Sequence, residues 1–113
     1  MPDLESVLPL SRSQLYLLLA IQEGERHGYA VKKRVEELSG GVVRMGPGTL
    51  YTAIQRAEEQ GLIRESKERP PEEEDQSQRR YYVVTPLGRD ALASEVDRLG
   101  DFVTSARSAL SEV

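Results

Sequence analysis

Thr85-Pro86 opens a segment whose apolar residues, Leu92, Val96, Leu99, Val103, Ala106 and Leu110, fall at intervals of 4-3-4-3-4. That spacing is the heptad seam of a helix that packs along its length. Thr85 can cap such a helix, and Pro86 suits its first position, where the missing N–H would be unpaired anyway. Running to about Leu110, the helix is ~36 Å long at ~1.5 Å per residue. A chain of 113 residues makes one domain, and a helix this long outruns a small three-helix core. Part of the stripe would stay exposed in a monomer, so the seam predicts a twofold dimer through those six residues. Leu4, Val7, Leu8 and Leu10 can add to the same interface, and Gly100 is a weak point within the helix.

The chain before Thr85 is punctuated into shorter pieces. Ser11–Glu23 reads as a helix with Ser11 as its N-cap, Leu15, Leu18, Leu19 and Gln22 on one face, and Gly24 as its stop. Tyr29–Leu38 reads as a second helix, with Val31, Val35 and Leu38 inward and Lys32, Lys33, Arg34, Glu36 and Glu37 outward. Ser39-Gly40-Gly41 ends it. Pro47 starts a third helix of about 21 Å, which Gly61 closes. Its apolar stripe is Leu50, Ala53, Ile54 and Ala57.

Two strands are expected next, 62–69 and 78–85. The segment PPEEEDQSQ between them holds two prolines and four consecutive acids, Glu72 to Asp75, and reads as an exposed loop. Three helices, two strands around a long loop and a final helix are the order of a winged helix-turn-helix. The fold class is mainly α with a small β-wing. Residues 1–85 form the winged unit and 86–113 the dimerisation helix.

In a winged helix-turn-helix the third helix lies in the major groove. With Leu50, Ile54 and Ala57 inward, Gly48, Thr52, Gln55 and Glu59 point outward, and Thr49, Tyr51 and Arg56 lie on the flanks. Gln55 can pair with adenine, Arg56 with guanine or phosphate, and Thr52 can touch a thymine methyl. Gly48 lets a phosphate approach the helix N-terminus. A solvated helix face is the competing reading of the same residues.

Charge complicates this picture. The net charge is −4, whereas DNA binding needs cations near phosphates. The acids are unevenly spread: residues 26–80 carry eleven Lys and Arg against ten Asp and Glu, and both flanks are acidic. A local basic face is therefore allowed. Lys32 and Lys33 are plausible phosphate partners.

Other chemistries find little support. Cysteine is absent, which excludes a disulfide scaffold, a thiolate metal site and a cysteine nucleophile, and is compatible with a reducing cytoplasm, the expected compartment. Met1 to Pro9 has no basic residue and does not read as a signal peptide. His27 is the single histidine and has no evident triad or metal partner, so a structural role near the second helix is expected. Tyr29 is expected to be packed, with its hydroxyl meeting phosphate or backbone. Consecutive carboxylates at Glu72–Asp75 lack the turn geometry of a calcium loop. No enzyme, cofactor or metal is called for.

ERHGYAVKKRVEELSGG, GPGTLYTAIQRAEEQGLI and RRYYVVTPLGRDAL together resemble the PadR-like family of bacterial transcriptional regulators. The resemblance spans roughly residues 12 to 110. It rests most on His27-Gly28-Tyr29, Pro47-Gly48-Thr49-Leu50-Tyr51, Gly61-Leu62-Ile63, and Arg80-Tyr81-Tyr82 with Thr85 and Gly88. It implies a cytoplasmic, homodimeric, DNA-binding repressor, paired through its C-terminal helix as in the short form of the family. Such a repressor binds a pseudo-palindromic operator and is released by a small-molecule or other signal. The resemblance places Gly48, Thr49, Tyr51 and Thr52 at DNA, and Lys67, Arg69, Arg79 and Arg80 on the backbone from the wing.

Three positions depart from the family pattern. Ala57 stands where a larger Leu is usual, Val83 where a basic or polar residue is common, and the wing tip is acidic. The acidic tip shifts the expected backbone contact to the wing base. It also keeps open a winged helix used for protein contact without DNA. Family members that bind planar aromatics typically do so against tryptophan, and this chain has no Trp and one Phe, Phe102.

Overall fold

A computed structural model describes residues 3–24, 27–67 and 80–111. Its elements are α1 (Leu4–Val7), α2 (Arg12–Gln22), α3 (Gly28–Leu38), α4 (Pro47–Glu59), β1 (Ile63–Ser66), β2 (Tyr81–Val84) and α5 (Pro86–Ser111). The strands form one antiparallel pair, with Ile63 opposite Val84 and Ser66 opposite Tyr81. This is the winged helix-turn-helix order expected from the sequence, with one extra turn of helix, α1, at the front.

Each helix is delimited by identifiable local chemistry. Ser11 caps α2 reciprocally: its hydroxyl accepts from the Gln14 N–H, and the Gln14 carboxamide oxygen accepts from the Ser11 N–H. His27 caps α3, its Nδ1 accepting from the Ala30 N–H at 3.4 Å. The His27 ring also meets Tyr81 edge-on, with centroids 5.7 Å apart. The lone histidine is therefore structural.

At the end of α4, Gly61 adopts φ +77°. The Gly61 N–H donates to Glu58 and the Leu62 N–H to Ala57, which closes the last turn and launches β1. Thr85 caps α5, accepting from the Gly88 N–H at 3.0 Å.

Leu17, Leu18, Ala20 and Ile21 of α2, Val31 and Val35 of α3, Leu50, Ile54 and Ala57 of α4, and Leu62 and Ile63 form the core. Burying a side chain of the Leu or Ile class contributes roughly 1.5–3 kcal/mol. Two sequence expectations need correction here. The inward face of α2 is rotated: Leu15 and Leu19 are only half-buried and Gln22 is exposed, while Leu17 and Ile21 fill the core. The reason is that α2 is a central helix covered on more than one side, by α3, α4, β2 and α5, so a single stripe under-describes it.

The second correction concerns the N-terminal segment. Val7 and Leu10 are buried in their own chain's core, leaving Leu4 exposed and Leu8 half-buried as the surface residues of that group. Glu95 of α5, itself buried, accepts from the Leu10 N–H at 3.4 Å and lies 3.5 Å from Arg98. This clasp holds the segment before α2 against α5.

α4, β1 and α5 meet closely at one junction. The Thr85 hydroxyl donates to the Gly61 carbonyl at 2.5 Å, and the Thr85 N–H donates to the Leu62 carbonyl at 3.0 Å. Gly88 lies so close that an added Cβ would fall onto the Leu62 carbonyl oxygen and against Val84. Gly88→Ala is expected to destabilise the protein by about 3 kcal/mol or more, because a backbone carbonyl cannot rotate away as a side chain can. A denaturant melt of the variant beside the parent checks this, and an unchanged midpoint would contradict it.

Tyr82 gives a second expectation. Burial, reinforced by Glu58, pushes its phenol above the ordinary value of 10 despite the opposing pull of Arg80. The folded chain thus holds this proton more tightly than the unfolded one. The associated stability is complete below pH 10 and declines as pH rises from 10 through the folded value. Stability measured from pH 9 upward is expected to fall less steeply in Tyr82→Phe.

Candidate nucleic-acid interface

The outer face of α4 is open. Gly48, Thr49, Tyr51, Thr52, Gln55 and Arg56 are all exposed, while Leu50, Ile54 and Ala57 face the core. Pro47 occupies the first helical position, and no side chain caps this end. A helix start without a side-chain cap suits an anion, because its first N–H groups lack partners within the helix and the dipole favours negative charge.

Two hollows flank α4. One, of about 690 Å³, lies between α4 and the start of α2. Its walls include Gly48, Thr49, Thr52 and Arg56 from α4, facing Ser11, Ser13 and Gln14. Gln14 donates to the Gln60 side-chain oxygen at 2.6 Å across its end, so the two helices are pinned to each other there. The other, of about 360 Å³, lies between α3, α4 and β2. Tyr29, Lys32, Tyr51 and Arg80 surround it over a floor that includes Leu50, Ile54 and Tyr82.

Eight of the thirteen residues expected from the sequence to meet DNA are thus gathered around one helix. Lys33, Gln55 and Lys67 are exposed but line neither hollow. Arg69, Arg79 and the acidic loop tip Glu72–Asp75 lie outside the described residues.

Tyr29 requires a correction. It is 73% exposed rather than packed. It occupies the first turn of α3, past the His27 cap, and Val31 is the residue there that turns into the core. Lys32 is also less free than the sequence suggests, since its ammonium lies 3.2 Å from Glu36 one turn on. Arg34 is committed elsewhere: its guanidinium donates twice to Glu23, at 2.7 and 3.2 Å, and this holds the Glu23 carboxyl below its ordinary range.

Sequence reasoning missed the α2 wall. Ser11 and Gln14 carried a usable signal, the S-x-x-Q capping box that fixes the first turn of α2. Nothing in the linear order showed that this turn faces α4. Tyr82 was read as a strand residue and part of the Arg80-Tyr81-Tyr82 motif, with no site role, yet it supports the floor of the smaller hollow.

The residues expected from the sequence to form a dimer seam separate into two groups. Leu92 is 9% exposed and belongs to its own chain's core, because it lies in the part of α5 that packs on the winged unit. Val96, Leu99, Val103 and Leu110, joined by Phe102, are 42% to 73% exposed, and Ala106 is partly covered. The apolar face therefore begins one turn later than its spacing suggests, and Phe102 widens it. Among the described residues no helix is long and apolar enough to cross a membrane, and no group of three or more acidic or histidine side chains could hold a metal.

Comparison with known proteins gives a consistent result. Residues 17–94 match the profile of the transcriptional regulator PadR-like family. A 37.1 kDa protein of transposon TN4556 from Streptomyces fradiae is 36% identical over 83 residues, 74% of this chain, which spans only about a fifth (21%) of that relative. The transcriptional regulator Rv3488 of Mycobacterium tuberculosis is 37% identical over 82 residues, covering 73% of this chain and 70% of the relative. Among solved structures, a PadR family transcriptional regulator from Eggerthella lenta superposes with a TM-score of 0.55 at 29% identity, covering 96% of this chain and 91% of that one.

Proposed function

The chain belongs to the PadR-like family of transcriptional regulators, which are not enzymes, and on that premise we propose that it binds double-stranded DNA as a homodimeric repressor. The observation that carries this reading is the open face of α4, with Gly48, Thr49, Thr52 and Arg56 on one side and Tyr29, Lys32, Tyr51 and Arg80 on the other. α4 enters the major groove. Thr52, Gln55 and Arg56 meet base edges, while the start of α4, Lys32, Lys33 and the wing base, including Lys67 and Arg80, hold phosphates.

Two copies pair through the uncovered face of α5, from Val96 to Leu110. Two α4 helices then read half-sites about one DNA turn, roughly 34 Å, apart on a pseudo-palindromic operator. A small-molecule signal that changes the crossing angle of the paired α5 helices would alter the half-site spacing and release the operator. The net charge of −4 does not oppose this, because Lys32 and Arg80 lie beside α4 and Coulomb attraction to phosphate acts over about 10 Å at ordinary salt.

DNA binding is tested by anisotropy titrations on the upstream region of the protein's own gene at several salt concentrations. Affinity is expected to fall as salt rises. Arg56→Ala and Arg80→Ala are each expected to weaken binding about tenfold. Salt-insensitive binding, or two variants that match the parent, would favour a winged helix used for protein contact instead.

Pairing is tested by sedimentation. Leu99→Asp with Val103→Asp is expected to convert a dimer into a folded monomer, because both side chains point away from their own core. A parent chain that sediments as a monomer would refute the pairing.

A further inference from the structure

We propose that the hollow between α3, α4 and β2 is a seat for one unstacked nucleotide, giving this protein affinity for unpaired DNA beyond duplex recognition. Two tyrosines that a winged unit has no packing need to expose stand at its edges, Tyr29 at 73% and Tyr51 at 61% exposure. The floor between them is apolar, with Leu50 at its base and Tyr82 behind. Both charged residues of the lining, Lys32 and Arg80, are cations.

Exposed aromatic rings beside a cationic rim are the combination by which proteins hold single strands. The ring face takes a base of any sequence, and the cation takes the neighbouring phosphate. A volume of about 360 Å³ admits one nucleotide and not a base pair within a stacked duplex.

The Lys32 ammonium keeps donors for a phosphate even while one contacts Glu36. Paired bases cannot reach a ring face in this hollow, since both of their faces are covered by neighbours in the stack. The occupant is therefore a nucleotide out of the stack, from either a free single strand or a base extruded from a duplex.

The inference rests on the DNA-binding reading above only for its biological setting. Fluorescein-labelled oligo(dT) of about a dozen nucleotides, long enough to cover one such site, is titrated with the full chain and followed by anisotropy. A second arm compares a promoter duplex carrying one unpaired thymine with its fully paired counterpart. The parent is expected to bind oligo(dT), or to prefer the bulged duplex. The first result identifies a free strand as the source, and the second an extruded base.

The double variant Tyr29→Ala, Tyr51→Ala is expected to lose this affinity by about tenfold or more. The double variant Tyr29→Phe, Tyr51→Phe is expected to retain it, because stacking needs the ring and not the hydroxyl. A thermal melt confirms that both variants fold, as expected for exposed side chains. Loss of affinity in the Phe variant equal to that in the Ala variant would overturn the proposal, since it would assign the tyrosines to hydroxyl–phosphate contacts. A parent indifferent to both unpaired probes would also overturn it. Failure of paired promoter DNA to bind would leave the oligo(dT) arm readable, so the two readings fail separately.

Discussion

Everything that projects from this fold is aimed by the contact of Thr85 and Gly88 with Gly61 and Leu62. The closing turn of α4, the first residue of the wing and the start of α5 meet there within hydrogen-bond distance. One threonine bonds Gly61, Leu62 and Gly88, and one glycine leaves out the Cβ that would push these segments apart. α4, the strand pair and α5 leave this point in fixed directions. Loosening it would cost more than local stability, because the relative aim of three elements would be lost together.

The division of labour along α5 follows from that anchoring. Its first two turns serve the winged unit, burying Gly88, Ala91 and Leu92, and Glu95 then clasps the segment that leads into α2. Beyond Glu95 nearly every described residue of the helix is exposed, yet its apolar spacing continues. A continuous hydrophobic period on a helix with only one end packed is physically incomplete in water. By contrast the hollows beside α4 are complete as surfaces: their walls are pinned by the Gln14–Gln60 pair and by the core beneath.

Much of this was legible in the sequence where local rules act alone. Pro47, Gly61, Thr85-Pro86 and the heptad spacing marked helix starts, stops and lengths, and those elements are present. The inward stripe of α4 was right because α4 has one buried face. α2 was misread because it is enclosed by several neighbours, and period alone cannot say which residues of a many-sided helix go deepest. Tyr29 was misread because a large aromatic is by default assigned to the interior, and its exposure depends on which way α3 turns after the His27 cap. The segment that carries Val7 and Leu10 is tied down where the Leu10 N–H meets Glu95, 85 residues away, which no local pattern encodes. The walls of both hollows bring together residues distant in sequence, so the candidate contacts could be named but their grouping could not.

The position of α2 has one more consequence. It packs on α5 on one side and on α4 on another, and the Gln14–Gln60 pair adds a polar pin to the second contact. α2 is thus the spacer between the helix whose apolar face is uncovered and the helix whose outer face is open. Leu17, Leu18, Ala20 and Ile21 fill its buried sides, and none of them reaches the surface of either neighbour. Drift among these four side chains, with the core kept filled, would shift the angle between α4 and α5 while leaving every exposed residue of both helices unchanged.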